Sequence, residues 1–484
     1  MDHAMDMTAY ISAAPEMTLL GLICAVLIAD LFVDDDHRVA TFWMSIVALV
    51  VTLWVLVATA PVEPTLVFSG AYISDALSQV LKVTATGFVA VVFLYSRDYL
   101  RANDLHKGEF YVLGLVGLLG MMIMISANSL LTMYLGLETL ALSLYALVAI
   151  DRNNATSAEA AMKYFVLGAI ASGALLYGIS WVYGVTGTIM LDEIAAVIAA
   201  DPGLNSLPLW FGLAFLIVGI AFKFGAVPFH MWLPDVYQGA RTPVTLYIAS
   251  APKLAALAFT IRVLVDGLGG LHDVWADMIM VVAVLSLLVG NVVAIAQSNI
   301  KRMLGYSTIA HVGFILLAIF CGTEKGNAAA LFYTLTYIVA AAGAFGIVIL
   351  LSRRGYDAEN LSDFKGLNAR SPWFALMMMF LMFSMTGVPP FIGFFGKLNV
   401  IDAVLSSGYP GLAVLMVLAS VVGAYYYLRV IWYMYFEEAE DQAVLQASND
   451  TRVVLSLNGV AVLALGIVPG WLWALCTQIA LSMR

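Results

Sequence analysis

Apolar runs of about twenty residues recur from Glu16 to the C-terminus, and a run of that length crosses a hydrocarbon layer of roughly 30 Å as a helix. A membrane β-barrel would instead show short segments of alternating polarity. The pattern predicts an all-α polytopic membrane protein with fourteen helices, over 16–33, 40–60, 75–95, 110–127, 129–150, 159–184, 207–238, 243–267, 275–297, 302–321, 328–352, 373–406, 409–436 and 453–476. Helix 1 does not read as a cleaved signal: it has no basic n-region, and it ends in Asp34-Asp35-Asp36 instead of small residues. The longest hydrophilic stretch, 353–372, is a connector and not a soluble domain.

Composition sharpens this picture. Hydrophobic residues make up 62% of the 484 and charged residues only 11%, against about 25% charged in soluble domains. Mean hydropathy is +0.95. A formal charge of −10 argues against nucleic acid as a partner, which calls for basic patches. Cys24, Cys321 and Cys476 are far apart and form no C-x-x-C pair, so no iron–sulfur cluster, c-type haem or disulfide framework is indicated.

The loop charges predict an orientation. Thirteen Lys and Arg residues fall in the loops after odd-numbered helices, and only Lys325 and Arg484 fall on the opposite side. Positive-inside asymmetry then places both termini outside, in the periplasm or its equivalent. The loops 61–72 and 185–206, which contain no Lys or Arg, agree.

Seven cations remain within spans: Lys82, Lys163, Lys223, Lys253, Arg262, Lys397 and Arg429. A charge at the centre of a membrane helix costs about 2.5–3.5 kcal/mol on the insertion scale, whereas long cations near helix ends snorkel. Arg262, with Asp266 at i+4, and Arg429 lie near helix ends and read as structural. Lys82 shares a helix face with Asp75 and Gln79; this stripe either packs against a partner or reaches the interface. Lys223, Lys253 and Lys397 are different. Lys253 is near mid-span, directly after Pro252. Lys223 and Lys397 lie in two unusually long helices, each interrupted, by Val227-Pro228-Phe229 in helix 7 and Val388-Pro389-Pro390-Phe391 in helix 12. Proline has no N–H for the carbonyl four residues back, which predicts a free Phe224 carbonyl beside Lys223, and free Met385 and Thr386 carbonyls in helix 12. Broken backbone at membrane depth is tolerated only where it is buried or lines a wet cavity.

Glu138 is the one acid deep in a span. A carboxylate close to an ammonium makes a proton-binding pair, since each changes the proton affinity of the other. Lys163, behind a Thr156-x-x-Glu159 capping-box pattern, either snorkels or acts on Glu138 from the adjacent helix. His230 and His311 suit a proton relay, or equally a helix-to-helix hydrogen bond.

A weak internal repeat connects these features. Leu135-Gly-Leu-Glu-Thr139 echoes Leu304-Gly-Tyr-Ser-Thr308, and Val-Pro-Phe echoes Val-Pro-Pro-Phe, each pair five helices apart. An odd number of crossings inverts topology, the pattern of inverted repeats with discontinuous helices. The expected organisation is 1–109 for helices 1–3, 110–268 for a first five-helix repeat, 269–436 for a second, inverted one, and 437–484 for a loop and helix 14.

With Glu138, Lys163, the stretch Ala221-Phe-Lys-Phe-Gly-Ala-Val-Pro-Phe-His-Met-Trp-Leu-Pro-Asp235, Lys253 and Pro389-Pro-Phe-Ile-Gly-Phe-Phe-Gly-Lys397, the sequence resembles the antiporter-like subunits of respiratory complex I and of Mrp-type sodium/proton antiporters, over essentially helices 4 to 13. The resemblance implies proton translocation coupled to electron transfer from NADH to quinone, with Glu138, Lys163, Lys223, His230, Lys253 and Lys397 as functional residues. A Glu138–Lys223 pair would open and close, Lys253 with His230 would pass the proton on, and Lys397 would deliver it outward. It implies no cofactor in this chain, with NADH, FMN, iron–sulfur clusters and quinone held by other subunits. Expected partners are the bilayer and other membrane subunits, including another antiporter-like one, in a bacterial inner membrane. The sequence itself carries no Gly-x-Gly-x-x-Gly loop. A free-standing cation/proton antiporter subunit and a non-catalytic membrane scaffold are the alternative functions.

Overall fold

The computed structural model describes residues 7–34, 38–201, 203, 206–439 and 448–483. Met1, Asp35, Asp36 and Arg484 lie outside the described residues. The protein is an all-α bundle in which every one of the fourteen apolar runs is helical. Twelve helices among the described residues are long and apolar enough to cross a membrane. The other two crossings are helix 1, Ala14–Asp30, at 17 residues, and helix 12, split into Pro372–Thr386 and Ile392–Ser406.

Helices 8, 10 and 11 (Thr242–Gly267, Ile300–Phe320, Glu324–Leu351) form the centre, with 89%, 94% and 94% of their apolar windows buried; helices 6 and 13 (Ala155–Thr186, Pro410–Phe436) bury only 33%. Helices 4 and 5, and likewise helices 9 and 10, make backbone-close contact through glycine. A methyl group at Gly120 of helix 4 (Gly108–Ile125) would sit 2.6 Å from the Leu140 amide of helix 5 (Leu130–Val148), and one at Gly290 of helix 9 (His272–Ile295) 2.6 Å from the Ala310 amide of helix 10. Small residues permit such approach where dispersion, and not water, drives helix association. The starts of helices 5 and 10 are also anchored alike. Leu130 N–H donates to Ile189 O at 2.9 Å, and Ile300 N–H to Glu359 O at 2.6 Å.

Where the expected elements shift, the causes are local. Helix 3 runs Ala76–Ala102, so Arg97 and Arg101 belong to its last turns. Helix 6 is capped by Asn154, whose side chain accepts from Ser157 N–H; the Thr156–Glu159 capping box does not form, and Glu159 pairs with Lys163 instead. The loop after helix 6 contains a short helix, Leu191–Ala200. The loop after helix 2 folds into a hairpin of Thr65–Val67 and Tyr72–Ser74. Helix 8 is interrupted at Ser250, just before Pro252, and ends in a π-turn over Ile261–Gly267. Lys301, placed in a loop by the sequence, is 1% exposed in the first turn of helix 10, held by Glu359 at 2.5 Å and the Ala240 carbonyl at 2.9 Å.

Candidate functional site: two broken helices and their lysines

Helices 7 and 12 stop at mid-length in the same manner. Half-helix 7a, Leu207–Phe224, ends on Gly225 at φ +75°, and half-helix 12a ends on Gly387 at φ +88°. Only glycine adopts that conformation without a Cβ penalty. Past each glycine an amide reaches back five residues: Ala226 N–H to Ala221 O at 2.7 Å, and Val388 N–H to Phe383 O at 3.0 Å. The peptide bonds Val227–Pro228 and Pro389–Pro390 are both cis. Half-helices 7b, Trp232–Gly239, and 12b, Ile392–Ser406, then resume.

Each interruption exposes a carbonyl, and a lysine takes each one. Lys253 Nζ, from helix 8, donates to Phe224 O at 2.8 Å, and Lys397 Nζ, from half-helix 12b, donates to Thr386 O at 2.8 Å. Both residues are buried, at 2% and 8% exposure. The C-terminal end of a half-helix carries partial negative charge that favours a cation, so these ammonium groups compensate for what proline removed. The Phe224 carbonyl is thus bound by Lys253 and not by the adjacent Lys223. Neighbouring donors complete the break: Trp232 Nε1–H donates to Phe222 O at 2.9 Å, and Val227 N–H to Ser286 Oγ at 2.9 Å.

Glu138 and Lys223 line one small cavity, with Tyr145 and Ser172. Ser172 Oγ donates to a Glu138 carboxylate oxygen at 2.5 Å. Lys223 makes no hydrogen bond or ion pair among the described residues, so the two charges face each other across the cavity without touching.

The family model described as NADH:quinone oxidoreductase/Mrp antiporter, transmembrane region, matches residues 127–423, a stretch that contains both breaks and every one of these side chains. The chain belongs to this antiporter-like family. It is 57% identical to NADH-quinone oxidoreductase subunit N of Thioalkalivibrio sulfidiphilus, over 97% of this chain and 98% of that one. Identity to subunit N of Thiobacillus denitrificans is 51%, over 99% of both. Among solved structures, a chain of respiratory complex I from Thermus thermophilus superposes with a TM-score of 0.81 at 32% identity, covering 95% of this chain and 98% of that one. A chain of the Mrp complex from a Dietzia species shares the fold, with a TM-score of 0.85 at 20% identity over 99% and 98%.

Within this antiporter-like chain, the other sequence-predicted residues fall in different places. Lys163 is not a neighbour of Glu138. It is 2.8 Å from both Glu159 and Asp235, and Asp235 is in turn 2.6 Å from Arg302. The reason is axial position: Lys163 lies nine residues before Ser172, which carries helix 6 about 13 Å away from the Glu138 level at 1.5 Å per residue. His230 is half-buried in the helix 7 break, its Nδ1 buried and without a hydrogen-bond partner, and it makes no hydrogen bond to Lys253.

His311 belongs with Lys397 more closely than the sequence indicated. They line two cavities together, and His311 is held by Tyr333 OH at 2.7 Å and Tyr427 OH at 2.9 Å. The available signal was a histidine ten residues into helix 10 with tyrosines spaced along helices 11 and 13. Arg262 and Arg429, expected to be structural, and Lys82, which the sequence leaves open, each have partners. Arg262 Nη2 contacts both Asp75 carboxylate oxygens at 2.7 Å, and Nη1 contacts Asp266 at 3.0 Å. Lys82 is bound to Glu16 at 2.5 Å and Tyr72 OH at 2.7 Å, joining helix 3 to helix 1 and the hairpin. Gln79 separately caps Leu56 O at 2.7 Å, so with Asp75 on Arg262 the helix 3 stripe packs against helices 1, 2 and 8 and the hairpin. Arg429 caps the Ile295 and Gln297 carbonyls at the end of helix 9.

Proposed function

We propose that this chain is a proton-translocating membrane subunit of a bacterial NADH–quinone oxidoreductase, coupling electron transfer from NADH to quinone to proton movement. The observation that carries this reading is the unpaired Lys223 facing Glu138, followed by Lys253 and Lys397, each on the free carbonyl of a broken helix. Charges are retained at membrane depth at a cost of about 2.5–3.5 kcal/mol each on the insertion scale, and only Lys223 among these three lysines lacks a partner that would account for it structurally.

In this mechanism Glu138 and Lys223 close and open as a pair, and the change in separation decides whether Lys223 holds or releases its proton. Lys253 receives the proton and leaves the Phe224 carbonyl to pass it on, with His230 close to the break. Lys397 and His311 deliver it to the outer side. Lys163 acts at the inner end through Asp235. The Lys- and Arg-rich helix ends face the cytoplasm and both termini face the periplasm. The first repeat, 110–268, carries Glu138, Lys223 and Lys253, and the second, 269–436, carries Lys397. NADH, FMN, iron–sulfur clusters and quinone are bound by other subunits, and other membrane subunits, one of them antiporter-like, flank this chain in the inner membrane.

The deciding experiment isolates the chain with its co-purifying partners and measures NADH-driven proton uptake in proteoliposomes, with and without Lys223→Ala. Loss of uptake in an intact complex is expected. Cation exchange by the chain without an electron donor would favour a free-standing antiporter. Lost assembly with normal uptake in whatever complex forms would favour a scaffold.

A further inference from the structure

Helix 6 faces two cavities in succession. Near its N-terminus, Glu159 and Lys163 form with Asp235 and Gln238 of half-helix 7b an open polar vestibule of about 150 Å³. Farther along, Ser172 faces the cavity of Glu138 and Lys223, of about 10 Å³. A cavity needs about 10–15 Å³ to hold one water, so the vestibule is well above that threshold and the inner cavity is at it.

Tyr164 stands between them. Its buried ring stacks on Trp232 at 4.5 Å with an interplanar angle of 13°, and meets Tyr145 edge-on at 4.7 Å. Trp232 is 2% exposed, and its indole N–H is fixed to the Phe222 carbonyl, next to Lys223. Tyr145 itself lines the inner cavity. Between the vestibule and the cavity, helix 6 therefore packs into an aromatic layer whose indole donor is already occupied. Constrictions of this kind exclude water by dewetting.

An ion pair spans the layer. Lys163 precedes Tyr164 in the chain, Asp235 lies one turn beyond Trp232, and the Lys163–Asp235 bridge at 2.8 Å ties the two ring-bearing segments together. Both charges have a second partner. Lys163 also contacts Glu159 at 2.8 Å, and Asp235 also contacts Arg302 at 2.6 Å. The bridge can open without stranding either ion.

We propose that the Tyr164–Trp232 stack is a gate between the Lys163–Asp235 vestibule and the Glu138–Lys223 cavity, latched by the Lys163–Asp235 bridge, and that protons taken up on the Lys- and Arg-rich side pass it. The role assigned to the gate rests on the proton-translocating reading, but its water-excluding property does not. In the purified complete complex, a cysteine placed at Ser172→Cys reports water access through its modification rate by a small cationic methanethiosulfonate, read by mass spectrometry of this chain. Adding Tyr164→Ala or Trp232→Ala is expected to raise that rate about tenfold, the response to a barrier lowered by about 1.4 kcal/mol. Adding Trp232→Phe, which keeps the stack, is expected to leave it slow. Where an alanine variant does not assemble, the leucine variant, which keeps apolar volume but loses the stack, carries the same expectation. Unchanged modification in assembled alanine or leucine variants overturns the gate. With Ser172 native, the same gate variants should lower the number of protons moved per NADH oxidised; an unchanged ratio would overturn the assigned role. Failure of the translocation reading registers elsewhere, as normal pumping by Lys223→Ala with the gate residues intact.

Discussion

The Lys253 ammonium meets the Phe224 carbonyl at 2.8 Å, across from helix 8 to the point where helix 7 stops. The bond closes the break and occupies a proton-bearing group at once, so it couples packing to function. Lys253→Met leaves the carbonyl buried and unpaired, a penalty of about 1–3 kcal/mol, and removes the titratable site. Lys253→Arg restores a donor but not a group that gives up its proton. Both variants are expected to lose NADH-driven proton uptake, and only Met to lower the thermal midpoint of the assembled complex. Equal thermal loss in both would show that the carbonyl bond is not what the lysine contributes to stability.

Glu138 has one hydrogen bond, from Ser172, and faces Lys223 without touching it. Glu138→Ala is expected to depress quinone reduction and proton uptake together, while NADH oxidation by a soluble acceptor, a reaction assigned to other subunits, continues. Ser172→Ala removes only the donor and should cost less, on the order of the 1.5–3 kcal/mol of a hydrogen bond to a charged group. A fall in soluble-acceptor oxidation with the complex intact on a native gel would remove Glu138 from the coupling path.

Much of this was legible from residue types alone. Proline at Pro228 and Pro390 marks a lost amide wherever it falls in a helix, so both breaks and their free carbonyls follow from the sequence. What a linear reading lacks is the identity of the neighbour that crosses over. Phe224 is flanked by Lys223 yet bound by Lys253, because side-chain direction depends on how helix 8 packs against helix 7. The same holds for Lys163, which reaches Asp235 in place of Glu138, and for Glu16, whose partner Lys82 is 66 residues away. Nothing in the linear order pairs Tyr164 with Trp232; two helices bring them face to face.

Arg262 tests the structural class of cation. It is 2% exposed and shared by Asp75 and Asp266. Arg262→Met strands two carboxylates, and breaking a buried pair costs about 3–5 kcal/mol. The expected outcome is a lower thermal midpoint and less assembled complex, with near-normal turnover per assembled molecule. Selective loss of proton uptake at full stability would move Arg262 into the transport path.

His106 gives a pH dependence outside the spans. Burial, then the nearby Arg101, Arg97 and Arg38, push its imidazole down from 6.5 to about 4, and its Nε2 is buried without a partner. A group whose folded value is depressed takes up protons more readily when unfolded. Its contribution is therefore complete above about pH 6.5 and declines as pH falls toward 4. His106→Gln should reduce the drop in thermal midpoint between pH 7 and pH 5. An identical drop in the variant would mean that His106 is not the titrating group.

Lys223 separates carrier from scaffold. Unlike Lys253 and Lys397 it has no carbonyl to cap, and unlike Arg262 it has no ion pair among the described residues. A structural cation needs only its charge, whereas a carrier must both gain and lose a proton. Guanidinium stays protonated in proteins, so Lys223→Arg keeps the charge and removes the exchange, while Lys223→Ala removes both. The carrier role predicts that both substitutions abolish NADH-driven proton uptake in an assembled complex, measured by dye quenching in proteoliposomes. A purely structural role predicts that Arg rescues and Ala does not. Near-normal uptake by the assembled Lys223→Arg complex would therefore overturn the carrier assignment.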